Sequence, residues 1–202
     1  MKVSKQQSAE NRQAILDAAA RLFRERGIQG VGVAEIMAAA GFTHGGFYGH
    51  FASKEALAAE VVDQVYAHST EKLKQRLEKS GGGGAAEHFL QYLHPRHRDR
   101  AGDGCPMPAL AADAARETGP VPEASARGIA AYLRELACHR PDGTITTEPD
   151  EADKSRAILS LSALVGGMVL ARATHESAPD LSDEILARLP AELDRAWTAK
   201  PV

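Results

Sequence analysis

From Gly41 to Lys54 the chain reads G-F-T-H-G-G-F-Y-G-H-F-A-S-K, and its polar groups suit holding an anion rather than breaking a bond. The hydroxyls of Thr43 and Tyr48, the His50 ring and the Lys54 ammonium can take phosphate oxygens, contacts that position a protein on DNA without reading its sequence. His44 is the side chain best suited to a base edge, because Gly45, Gly46 and Gly49 offer none. Three glycines in five residues each cost a helix up to about 1 kcal/mol relative to alanine. A helix kept only for packing rarely carries that burden. One docked in a DNA groove can, since missing side chains let the backbone approach phosphates and base edges. An irregular loop over 43–51 is the competing reading.

A second group with reactive potential is Cys105, in G-D-G-C-P-M-P. A thiol at a helix start is favoured as thiolate, the form that oxidants and electrophiles attack. The alternative is an inert small hydrophobe. No histidine is placed beside it by spacing, so nucleophilic catalysis lacks its oriented base, and the chain is not read as an enzyme. His94 and His97 lie three apart with Asp99 nearby, but among prolines and glycines, and no metal or other cofactor is expected. A small helical enzyme or adaptor is the remote alternative; neither accounts for the glycine-rich basic segment.

The elements that position these groups are helical throughout. Ser8 is a candidate cap for a helix with Ile15, Ala18, Ala19, Leu22 and Phe23 on one face, closed by Gly27. Val33, Ile36, Met37 and Ala40 form the stripe of a second. Gly41 suits the left-handed turn that follows, and the Thr43 hydroxyl can cap the next helix, in which Phe47 and Phe51 share a face. Two short helices joined by a tight glycine turn are the layout of a helix-turn-helix reader, here about 31–51. Ser53 caps a helix of about 25 residues, longer than so small a unit needs, and so a lever into a second body.

Ser80 to Gly84 is a glycine break. Further helices are expected over 85–94, 109–116, 122–139, 153–174 and 181–197, with 95–104 a charged, solvated connector. The class is all-α: a three-helix DNA-binding domain over 8–68, and a larger helical domain over 69–202. The inward faces of the second domain suggest Phe89, Tyr92, Met107, Leu110, Tyr132, Leu133, Leu164 and Met168 as the lining of an apolar pocket.

Charge distribution agrees with that division. The net charge is −3, yet residues 1–54 carry seven Lys/Arg against four Asp/Glu (+3), leaving 17 against 23 (−6) for the remainder. A basic end on an acidic body fits a nucleic-acid reader with a separate sensing part. Two cysteines imply no disulfide framework and a reducing cytoplasm. The N-terminus lacks the apolar stretch of a secretory signal. The most apolar run, Ile158–Ala173, contains two serines, two glycines and an arginine, and reads as too short and polar to span a bilayer. No membrane partner is expected.

The stretch G-F-T-H-G-G-F-Y-G-H-F-A-S-K-E-A-L resembles the helix-turn-helix signature of the TetR family of transcriptional regulators. The resemblance runs from about Asn11 to Leu57, with Tyr48, Phe51, Lys54 and Leu57 at its strongest positions. Gly32 departs from it, standing where the family usually has a Ser or Thr cap that also touches phosphate. The resemblance implies a repressor released from a palindromic operator by a small apolar effector, with thiol sensing through Cys105 as the alternative. It also implies a homodimer through the last two long helices, at Leu161, Leu164, Gly166, Gly167, Leu170, Ile185 and Leu189. For Gly166-Gly167, close packing inside one chain competes with approach of a second subunit. The DNA contacts would be Gly32, Thr43, His44, Gly45, Gly46, Tyr48, His50 and Lys54.

Overall fold

The computed structural model describes residues 4–79 and 84–199, so Ser80–Gly83, most of the expected glycine break, lie outside the described residues. Helix α1 (Lys5–Arg26) begins a turn earlier than expected. Ser4, not Ser8, is its cap, its Oγ accepting from the Gln7 N–H at 3.1 Å. The polar residues 5–10 tolerate helix in solvent, so the earlier cap wins. Gly27, at φ 77°, closes the helix and gives its N–H to the Phe23 carbonyl, while Ile28 turns back into the core.

Helix α2 (Val33–Ala39) ends at Gly41, at φ 82°, and the Phe42 N–H reaches the Met37 carbonyl at 2.8 Å. His44–Gly49 is a single 3-10 segment rather than an α-helix. Its three glycines remove the helix propensity that would favour the α form. The Ser53 Oγ accepts from the Ala56 N–H at 3.1 Å and starts α3 (Lys54–Lys79).

After α4 (Gly84–Tyr92), the segment expected to be a solvated connector is built instead as α5 (Pro95–Asp99) and a 3-10 turn (Ala101–Asp103). His94 caps α5 by accepting from the Arg96 N–H. Arg98 is buried and reaches Ser182 at 2.9 Å and Asp183 at 2.6 Å. Arg172 donates to the carbonyls of His97 and Arg98. Then come α6 (Met107–Ala114), α7 (Pro120–Cys138), α8 (Glu151–Thr174) and α9 (Pro179–Thr198). Among the described residues there is no strand, only an isolated bridge between His139 and Ile145. The all-α expectation holds.

Two apolar clusters organise the packing. One runs from Ile15 and Phe23 through Phe47, Leu57 and Tyr66 to Leu136 and Leu161, joining α1, α2, α3, α6, α7 and α8. The other gathers Phe89, Leu93, Leu164, Met168, Leu186 and Trp197 between α4, α8 and α9. α3 lies against α7 because Gly128 leaves room for the Tyr66 ring, which a methyl group there would overlap. α8 is longer than the apolar run read from the sequence, and has the length and composition of a membrane span. Its Leu164, Met168 and Ala171 are nevertheless buried in the fold, and Asp153 near its start is buried between Arg140 and Arg156.

Candidate nucleic-acid interface and cavity

The 3-10 segment rests on an aromatic base. Phe47 is fully buried and stacks on Phe51 with ring centroids 5.7 Å apart. The Arg12 guanidinium sits 4.4 Å from the Phe51 centroid and pairs with Glu60 on α3, which ties α1, the segment and α3 together. Above this base, Tyr48 stands edge-on to Phe47 and is 68% exposed. Thr43, His44, Gly45, Gly46 and Gly32 are exposed as well, and His50 and Lys54 are half-buried. The expected Thr43 cap is absent: its side chain makes no capping hydrogen bond, and its hydroxyl is left for another acceptor or donor. A Cβ at Gly32, Gly45 or Gly49 would meet nothing within 4 Å. Among the described residues no steric contact requires glycine there.

A cavity of about 500 Å³ lies between α1, α3, α4, the segment 94–105 and α7. Cys105 stands half-buried in its wall, with the Ser69 hydroxyl 3.6 Å from its sulfur. His97 holds the cysteine in place. Its Nδ1 lies 2.7 Å from the Tyr92 carbonyl, which can only accept, so Nδ1 carries the proton. The unprotonated Nε2 then accepts from the Cys105 N–H at 2.9 Å. Burial, with Arg172 and Arg76 adding to it against the Tyr92 hydrogen bond, lowers the His97 pKa and favours this neutral ring.

Tyr92 and Tyr132 line the cavity; the other six residues suggested for it do not. Phe89, Leu164 and Met168 belong to the α4–α8–α9 core, and Met107, Leu110 and Leu133 to the larger one. Inward periodicity marks core and lining residues alike, which is why the sequence could not separate them. It also missed Arg24, Ser69, Lys72 and Arg100, polar residues on unrelated segments that only the packing brings together.

Hydrogen bonds tie the turn between α1 and α2 to α6 and the residues after it. The Ile28 N–H, in the turn between α1 and α2, donates to Asp113 on α6 at 2.7 Å. Gln29 reaches Glu117. Arg24, on the same helix as that turn, lines the cavity and donates to the Gly104 carbonyl.

Residues 15–61 match the family described as "Bacterial regulatory proteins, tetR family". That stretch, from α1 into α3, is a TetR-type DNA-binding segment. It is 45% identical to the transcriptional regulator AcrR of Shigella flexneri over 58 residues, 29% of this chain and 27% of AcrR. A longer match, 28% identical over 174 residues, joins it to the regulator LmrA of Bacillus subtilis, covering 84% of this chain and 90% of LmrA. The repressor NemR of Escherichia coli K12 is 27% identical over 140 residues, 66% of this chain and 70% of NemR. The crystal structure of reduced E. coli NemR shares the fold, with a TM-score of 0.70 at 22% identity, covering 95% of this chain and 100% of that one. The chain is a DNA-binding transcriptional regulator and not an enzyme.

The residues suggested for a dimer interface divide in the structure. Leu161, Leu164 and Gly167 are buried within the chain, and a methyl group at Gly167 would overlap Leu189 of α9. Ile185 and Leu189 are partly buried against the same core. Gly166 faces open space and Leu170 is exposed. Around them Ile158, Leu159, Val169 and Leu181 are also large, apolar and exposed, an outward face that packing inside the chain leaves uncovered.

Proposed function

We propose that this regulator is a repressor that binds a palindromic operator as a two-fold dimer and is released when a small molecule enters the cavity beside Cys105. The observation that carries the reading is the exposed surface from Thr43 to Lys54, in which polar groups and open glycines stand over a rigid Phe47–Phe51–Arg12 base. His44 would read a base edge, with Thr43, Tyr48, His50 and Lys54 on phosphates and the backbone at Gly32, Gly45 and Gly46 close to the duplex. Residues 8–68 would form the reader and the remainder the sensing and dimerising body, working in the cytoplasm. The exposed face of α8 and α9 at Gly166 and Leu170 supports the dimer, because two such faces bury each other under two-fold symmetry. NemR, named a repressor, supports the sign of regulation.

The test is operator titration over a range of salt. Lys54→Ala should weaken matched and scrambled sites alike and lower the salt slope by about 1, whereas His44→Ala should relax specificity. Unchanged discrimination in His44→Ala removes it as the reading side chain.

A second reading concerns the trigger. Cys105 is half-buried, open to the cavity, and fixed by His97, so oxidation or alkylation of its thiol would add bulk where a ligand would sit. Hypochlorite or a quinone should then release operator from the wild type and not from Cys105→Ser; equal responses exclude the thiol.

A further inference from the structure

The cavity wall is not the apolar surface that inward-facing residues suggest. Its floor is apolar and aromatic, with Val65, Leu73, Tyr92 and Tyr132, but its mouth carries Arg24, Lys72, Arg76, Arg96 and Arg100 against one carboxylate, Asp103. Among the described residues Arg24, Lys72, Arg96 and Arg100 have no carboxylate within ion-pair distance. Arg24 is the most enclosed of these cations, and its Nε is buried with no hydrogen-bond partner. The Tyr92 hydroxyl is likewise buried and unpartnered. Buried donors without acceptors are costly, and a ligand oxygen would satisfy them. The field at the mouth is visible in His68, whose pKa is lowered by burial and then by Lys72 and Arg24. Cations arranged around a concavity with low-dielectric walls focus a positive potential into it.

We infer that the effector is an amphipathic organic anion, an acidic head on a flat or aliphatic body, with its head between Arg24 and Lys72 and its body on Tyr92, Tyr132, Val65 and Leu73. This rests on the reading of the chain as a ligand-released regulator and names the ligand class for the same cavity. A volume of about 500 Å³ admits a small molecule and excludes a duplex backbone. The apolar floor holds any greasy body of suitable size, so affinity alone does not discriminate. Discrimination comes from the mouth, where a neutral analogue leaves the cations to water and a cationic one is repelled.

The test uses a matched pair of fluorescent probes, 8-anilinonaphthalene-1-sulfonate and N-phenyl-1-naphthylamine, which differ by the sulfonate. The sulfonate should bind about tenfold more tightly at low salt, and the margin should shrink as salt screens the mouth. Lys72→Glu, at an exposed position, should weaken the sulfonate about tenfold and leave the neutral probe within about twofold. Arg24→Met should act in the same direction, with its melting curve recorded alongside because Arg24 is partly enclosed. Equal affinity for the two probes, or a preference that survives Lys72→Glu, overturns the inference. Operator binding by the ligand-free wild type is measured in the same series. Its loss would count against the regulator reading, while its persistence with no preference for the anion would count against the ligand class alone.

Discussion

The proposed reading surface and the cavity share helices and differ in how their residues are assembled. Lys54 opens α3 and belongs to the reading surface; farther along the same helix Val65, Ser69, Lys72 and Leu73 line the cavity. The reading surface is nearly contiguous, with Thr43 to Lys54 in one run and only Gly32 and the supporting Arg12 drawn from outside it. Its groups are exposed or half-exposed and its interior is a single aromatic stack. The cavity is convergent, with Arg24, Lys72, Tyr92, Cys105 and Tyr132 coming from five separate stretches of chain, and it holds unpartnered buried donors. A surface that meets a repetitive polyanion can be written on one short segment. A site that must tell small molecules apart needs walls from several directions.

Four sets of substitutions test this contrast. The largest effect is expected from Phe47→Ala. Removing a fully buried ring that stacks on Phe51 should cost about 3–5 kcal/mol in urea unfolding and abolish operator binding. If the reading surface stands on that one stack, probe binding in the cavity at temperatures where the mutant remains folded should stay close to wild type.

The next tests the cavity side through pH. His88 is buried, its Nε2 lies 3.2 Å from the Tyr132 hydroxyl, and burial, then Arg76 and His97, lower its pKa from 6.5 to about 3. Between those values the unfolded chain binds a proton that the folded chain does not. Stability is therefore retained above about pH 6.5 and lost as pH falls below it, at up to about 1.4 kcal/mol per unit for this group. Urea unfolding at pH 7.5 and pH 5 should differ by about 2 kcal/mol more in the wild type than in His88→Leu. The comparison is of slopes, because the variant also strips Tyr132 of its partner.

Two neighbouring glycines give the third. Gly167→Leu should destabilise the chain itself by about 1–3 kcal/mol through overpacking against Leu189. Gly166→Leu, pointing into open space, should leave unfolding of the single chain nearly unchanged and instead shift sedimentation toward monomer. Sedimentation unaffected by Gly166→Leu would place the dimer contact elsewhere.

The smallest effect is local and lies where α6 meets the turn after α1. Asp113→Ala removes the acceptor of the Ile28 N–H. A hydrogen bond to a charged acceptor contributes about 1.5 kcal/mol, so exchange of the Ile28 amide should speed up about tenfold while amides in the middle of α7 stay as they were.

The parts that depend on neighbours along the chain were legible from residue types and spacing. Gly27 and Gly41 mark left-handed turns because no other residue adopts them so readily, Ser53 caps α3, and the spacing of Phe47 and Phe51 puts both on one side. These features are short-range, and so is the motif that identifies the family. Even locally there were limits: Ser4 and Ser8 are equally good caps, and the choice fell to whether residues 5–10 could continue as helix. The tertiary structure decided everything that depends on which faces meet. It separated Gly166 from Gly167, adjacent residues pointing about 100° apart on a helix, into one that faces out and one that admits Leu189. It turned a charged connector into a segment pinned by Arg98 and Arg172. It gathered Arg24, Lys72 and Arg100 around Cys105, because helical periodicity specifies that a face is buried but not which partner it meets, and charges brought together across distant segments leave no mark in local spacing.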